Sequence, residues 1–255
     1  MLQKIDGIPR TKIYRALEIL TGSVSWCIIL LPPILAIWYP IGVEIFIIAF
    51  VLFWIMRVMR AATLFFYSYL KNKRYENLHW RRMLDFFSDN PPAVAQTSFE
   101  QRTVDRIALL KGKNVFMTWT QIQHVIIIPT YKEEKEILDS TFLALTQADF
   151  PLEQLCIVLA TEERDKERAI EVATFLEHKY GTRFGQFHHV MHPSNIPDEL
   201  AAKGANITYA GKYTSEVFKK LGIPSSHVLV TTLDADNRPH FTYFSNLTYH
   251  YLMEP

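Results

Sequence analysis

His124-Val-Ile-Ile-Ile-Pro-Thr-Tyr-Lys-Glu133 decides the fold. At its centre, Val125 to Ile128 is a short apolar run closed by Pro129. A run of that length and composition, stopped by a residue that cannot donate to a sheet, reads as a strand buried on both faces. Working outward, residues 133–148 have helical spacing, with Ile137, Leu138, Phe142 and Leu145 on one face. Leu155-Cys-Ile-Val-Leu159 predicts a second strand, which makes Cys156 a small buried hydrophobe. A helix over 164–180 follows, with Gly181 as its stop. The pattern continues as a third strand over 187–191 and a third helix over 205–221, stopped by Gly222 and Pro224. Val228-Leu-Val-Thr-Thr-Leu233 predicts a fourth strand, ended by Asp234, and 241–252 reads as a closing helix. Alternating strands and helices predict an α/β domain with a mostly parallel sheet over 124–255. Ligands of such sheets sit at the carboxyl ends of the strands. That rule directs attention to 129–133, 160–165, 192–206 and 234–239.

Upstream the pattern changes. No charged residue occurs from Ile19 to Val43, and after Glu44 the apolar run resumes to Met56. This is about two bilayer spans, and it predicts transmembrane helices over about 18–39 and 41–64 within an anchor of residues 1–70. Trp38-Tyr-Pro-Ile-Gly42 supplies the turn between them, and Pro32-Pro33 a kink. Lys4, Arg10, Lys12 and Arg15 precede the first span. Arg57, Arg60, Lys71, Lys73, Arg74, Arg81 and Arg82 follow the second or sit at its end, whereas the connecting turn has no base. Positive charge marks the cytoplasmic side, so an integral membrane protein with both termini and its soluble domain in the cytoplasm is expected. Residues 71–84 mix bases with Tyr75, Leu78, Trp80, Met83 and Leu84. They fit either an interfacial helix or an amphipathic helix packed on the soluble domain. The rest of 71–123 reads as a linker.

The chain has 255 residues and a formal net charge of +1, which excludes a generally nucleic-acid-binding surface. That balance hides a split: residues 1–90 carry a net +5 and residues 91–255 a net −4. Two cysteines, Cys27 and Cys156, can build neither a disulfide framework nor a cysteine-based zinc site.

The chemistry starts from Asp234-Ala-Asp236, two carboxylates directly after a buried strand. At that spacing both can reach a hard cation, Mg²⁺ or Mn²⁺, whose other ligands are water and phosphate oxygens. No glycine-rich phosphate loop is present, so a diphosphate here depends on metal and side chains. Two acids in a solvated loop are the plain alternative.

Taken together, His124–Glu133, Lys203-Gly-Ala-Asn206 with Tyr209-Ala210, and Thr232-Leu-Asp-Ala-Asp236 resemble the family 2 glycosyltransferases, the group of the cellulose, chitin and hyaluronan synthases. The three motifs occur in the family's order over residues 124–255. The resemblance implies a GT-A-like fold and an inverting, metal-assisted sugar transfer from a nucleotide-diphosphate sugar, with uridine diphosphate favoured. It places Pro129, Thr130, Tyr131 and Glu133 against the nucleoside, and Lys203 and Asn206 near base and phosphates. Asp234 and Asp236 become the metal ligands, with Asp236 the catalytic one. The family's acidic base-binding turn is replaced here by Thr161-Glu-Glu-Arg-Asp165. Either Glu162 or Glu163 suits the base imide, and a solvated helix start is the alternative. The family's acceptor-side half, with its catalytic base, has no counterpart before Glu254-Pro255. The expectation is therefore a truncated domain that binds nucleotide and transfers no sugar, its acceptor unknown.

Other readings compete. A nucleotidyltransferase shares the strand-end metal logic but calls for a Gly- and Arg-rich loop that Thr130-Tyr-Lys-Glu133 does not supply. A membrane-anchored binding or interaction module without catalysis is the non-enzymatic reading. His188, His189 and His192 straddle a strand end and lack a metal-site partner motif. Tyr243, Tyr249 and Tyr251 read as core residues. Asn206-Ile-Thr208 and Asn246-Leu-Thr248 match the glycosylation sequon but fall on the expected cytoplasmic side.

Overall fold

A computed structural model describes residues 12–76, 78–194, 196 and 202–254. Lys4, Arg10, Pro255 and, within the strand-end segment 192–206, residues 195 and 197–201 lie outside the described residues. The chain divides into two compact units, residues 1–78 and 79–255.

The first unit contains helices α1 (Lys12–Leu35) and α2 (Pro40–Glu76). Both are long and apolar enough to cross a membrane, and their large side chains are exposed; Trp26 is 63% and Ile29 63% accessible. An apolar surface of this extent needs a cover other than water. The connecting turn falls earlier than expected, over 36–39, because Pro40 opens α2, where its missing N–H costs no hydrogen bond. In turn, α2 runs well beyond residue 64. Its 37 residues make it about 55 Å long, against a hydrocarbon core of about 30 Å.

Residues 71–84 are not one helix. The chain leaves α2 after Glu76, and α3 (Trp80–Asp85) belongs to the second unit. There Trp80, Met83 and Leu84 are buried, which for these residues favours the packed reading over the interfacial one.

The second unit is built on a four-stranded, all-parallel sheet of order β3-β2-β1-β4. Its strands are β1 (Gln123–Pro129), β2 (Leu155–Glu162), β3 (Gln186–His192) and β4 (Val228–Thr232). Helix α5 (Lys135–Leu145) joins β1 to β2, α6 (Lys166–Tyr180) joins β2 to β3, and α7 (Lys203–Lys220) returns the chain to β4. Even-numbered residues of β2 and odd-numbered residues of β1 share one face. There Val125, Ile127, Cys156, Val158 and Ala160 pack with Ala210 and Phe218 of α7. On the other face Phe142 of α5 meets Tyr180 of α6 and Phe187 of β3. This double cover buries all of β2 and β1 from His124 onward, which is why both strands read as unbroken apolar runs.

The expected linker proves to be structural. Helix α4 (Ser98–Gly112) is opened by Thr97, whose hydroxyl accepts the Glu100 N–H at 3.1 Å. Thr103 shares a 2.8 Å hydrogen bond with the hydroxyl of Tyr249 on α8 (Tyr243–Met253). Trp80 lies against Phe99, Tyr249 and His250. The Gln154 amide donates to the carbonyls of Thr120 at 3.0 Å and Ile122 at 2.7 Å, fixing the approach to β1. Glu100 is buried and held by Arg82 at 2.9 Å and by the Gln96 N–H. The second unit therefore begins near residue 79 rather than 124. Tyr249 enters the core as expected.

Candidate functional site

The chain runs outward from β1 to β2 and β3, then crosses back to β4 on the opposite side of β1. This reversal makes the carboxyl ends of β1 and β4 a topological switch point, the place where ligands of open α/β sheets bind. The expected residues gather there in two groups.

At the β4 end, Leu233 still pairs with the sheet through its N–H to the Ile127 carbonyl at 3.0 Å. Asp234 and Asp236 then point from a tight turn, closed by the Asn237 N–H on the Asp234 carbonyl at 2.9 Å, and both are exposed. Between them Ala235 is buried, and its carbonyl accepts the Thr141 hydroxyl of α5 at 2.6 Å. Lys203, the first residue of α7, forms an ion pair with Asp234. Both partners are more than half exposed, so the pair contributes little to stability and is free to exchange.

At the ends of β1 and β2, Glu133 accepts the Thr130 hydroxyl at 2.7 Å and the Tyr131 N–H. Its carboxylate thus holds the turn after Pro129, while Arg168 of α6 donates to the Glu133 carbonyl. Lys132 sits in the left-handed region at φ 67°, a conformation that concentrates at functional turns. Glu162 is buried and paired with Arg164, whose Nε lies 2.8 Å from its Oε2. That hydrogen bond holds the Arg164 pKa above its ordinary value. Glu163 turns the other way: its Oε2 accepts the Ser194 N–H at 2.7 Å and hydroxyl at 2.8 Å, which lowers its pKa. The Tyr131 ring carries the Arg164 guanidinium 4.7 Å from its centroid and the Lys132 ammonium at 5.1 Å.

Asn206 is 2% exposed and donates its Nδ2 to the Ala160 carbonyl at 2.9 Å. That carbonyl also takes the Thr130 N–H at 2.9 Å. The amide therefore anchors α7 to the strand ends, and its Oδ1 is buried without a described partner. The three histidines do not converge. His188 faces Tyr213 and His192 faces Tyr209, both on α7, whereas His189 projects to the opposite face and bonds Thr161 at 2.8 Å. Neighbouring strand residues point to opposite faces. Among the described residues no group of three or more His, Cys, Asp or Glu side chains is placed to hold a metal ion. Two carboxylates do fit Mg²⁺, which usually keeps several waters and takes one or two carboxylates plus substrate phosphates.

Sequence reasoning passed over Arg164, Arg168, Lys132 and Thr141. Arg164 and Lys132 lie inside the strand-end segments the pattern had marked. Thr141 gave no signal, because its contact with Ala235 depends on helix packing. No family model matches the chain, and no curated protein or solved structure is similar to it.

Proposed function

We propose that the chain is a membrane-anchored glycosyltransferase module that holds a nucleotide-diphosphate sugar across the carboxyl ends of β1, β2 and β4. The observation that carries this reading is the exposed carboxylate pair Asp234 and Asp236 at the topological switch, with Lys203 beside it. Helices α1 and α2 serve as the bilayer anchor, with the basic flanks on the cytoplasmic side.

Asp234 and Asp236 would hold Mg²⁺ or Mn²⁺. The bound ion supplies neutralisation of the charge that develops on a departing diphosphate. The chain's own residues do the rest of the holding. Lys203 stands at the start of α7, where the helix dipole favours anions, and passes from Asp234 to a phosphate oxygen as ligand enters. Thr130 and Tyr131 line the nucleoside side in a turn fixed by Glu133. A general base that takes the acceptor's hydroxyl proton completes such a transfer, and no described residue is assigned that role. A binding module without turnover is the second reading. It draws support from α8, whose Phe244, Tyr249 and Leu252 are spent on the core rather than on an acceptor surface.

Calorimetric titration of the full chain in detergent with UDP and GDP, with and without Mn²⁺, tests the proposal. Metal-dependent heat is expected. Asp236→Asn should weaken metal-dependent nucleotide binding by roughly 10- to 100-fold, at least the loss seen when a metal site loses an outer partner. Glu254→Gln, at the end of α8, should leave binding unchanged. Equal effects of the two variants, or heat indifferent to metal, would reduce the pair to an ordinary loop.

A further inference from the structure

We infer that Arg164 selects the nucleobase, favouring a base edge with two adjacent acceptors, as on guanine or cytosine, over uracil or adenine. The inference rests on the nucleotide reading above and refines it.

The carboxylate pair sits at the end of β4, and β2 is two strands away across β1, about 10 Å at the usual strand spacing. A diphosphate held at Asp234 and Lys203 therefore projects its nucleoside along Tyr131 toward the end of β2. The groups waiting there are Glu162, Glu163 and Arg164. A carboxylate would accept the imide N–H of uracil, but both carboxylates are engaged. Glu163 is taken up by Ser194, and Glu162 is buried beneath Arg164. What faces the base is the arginine.

Its orientation is fixed from two sides. Glu162 Oε2 accepts from Nε and from Nη2 of Arg164, and the guanidinium carbon lies over the Tyr131 ring, 4.7 Å from its centroid. A guanidinium has five N–H groups in a planar fork. With Nε–H and one Nη2–H used, the outer edge keeps parallel N–H donors on Nη1 and Nη2. The side chain is 40% exposed, so that edge is accessible. Two parallel donors match two adjacent acceptors, the O6 and N7 of guanine or the N3 and O2 of cytosine. Uracil sets its N3–H between two carbonyls, and adenine sets its amino group beside N7. Each would turn a donor toward a donor.

The test is a competition on the full chain in detergent with Mn²⁺, using GDP, CDP, UDP and ADP as probes, against Arg164→Ala and Arg164→Lys. At least one of GDP and CDP should bind roughly 5- to 100-fold more tightly than both UDP and ADP, the discrimination of one bidentate contact. Arg164→Ala should erase that preference while changing UDP affinity by less than about 3-fold. Arg164→Lys, which keeps the charge and loses the fork, should erase it as well. Tryptophan fluorescence melting shows whether each variant is folded. UDP binding as tightly as GDP and CDP, or a preference that survives in Arg164→Ala, overturns the inference alone. Failure of all four nucleotides to bind overturns the nucleotide reading itself.

Discussion

Trp80→Ala should destabilise the second unit by about 3–5 kcal/mol, the usual cost of emptying a large aromatic site in a core. Trp80 is 2% exposed and lies 5.4 Å, ring to ring, from Tyr249, 5.6 Å from His250 and 6.2 Å from Phe99. On this one ring α3 and α4 meet α8, which lies at the other end of the unit in sequence. Val94→Ala, at a position 70% exposed, should stay within about 0.5 kcal/mol. Urea unfolding of the full chain in detergent, followed by near-ultraviolet circular dichroism, gives both values. If Trp80→Ala costs no more than Val94→Ala, residues 79–122 are a tether and not part of the core.

A second large effect is set by His124. The ring is fully buried, edge-on to Phe150 and Phe244, with Nε2 2.7 Å from the Thr248 hydroxyl. Burial pushes its pKa down from 6.5 to about 3. The unfolded chain binds a proton below pH 6.5, while the folded chain refuses it until about pH 3. The stability His124 contributes is therefore present above pH 6.5 and is lost as pH falls toward 3. Between pH 7 and pH 4 the loss is about 3 kcal/mol. Burial shifts His188 and His189 the same way, and Asp149 in the opposing sense. A comparison with His124→Gln isolates the one ring. Wild type should lose about 3 kcal/mol more than the variant over that interval. Parallel stability–pH curves for the two proteins would show that the imidazole is hydrated or charged in the fold.

What the sequence disclosed follows a physical division. Strands buried on both faces must be apolar at every position, so β1 and β2 stood out, although β2 runs on to Glu162, three residues past its apolar run. β4 was legible by composition, yet it is not the buried strand expected: it lies at the sheet edge, with Val230 61% exposed and Thr231 its one buried residue. The helices between the strands kept one apolar stripe. Residues 79–122 obey no such local rule. Trp80, Phe87 and Trp119 are buried, yet they stand among Pro, Ser and charged residues with no period, because their partners come from α8 and from Phe150. The Thr97-x-x-Glu100 pattern was the one local signal of α4. The site divides in the same way. Asp234 and Asp236 were legible because they follow a strand directly. The pairing of Lys203 with Asp234, and of Arg164 with Tyr131, depends on which strands are neighbours and on the length of each crossover. Chain order does not reveal that.

The hydrogen bond from Thr141 to the Ala235 carbonyl bears on how quickly and how tightly the loop after β4 can act. A surface loop that closes on a ligand loses backbone freedom at that moment, about 1–2 kcal/mol for each residue that becomes fixed. Here the residue between the two aspartates is already buried and tied to the middle of α5. The backbone's share of the ordering cost is met when the protein folds, and only the two short side chains remain to be arrested on binding. Any ligand that bridges both carboxylates thus meets a preset spacing. On the reading proposed above, the loop then works as a gauge rather than a clasp, because its backbone offers a ligand one fixed spacing.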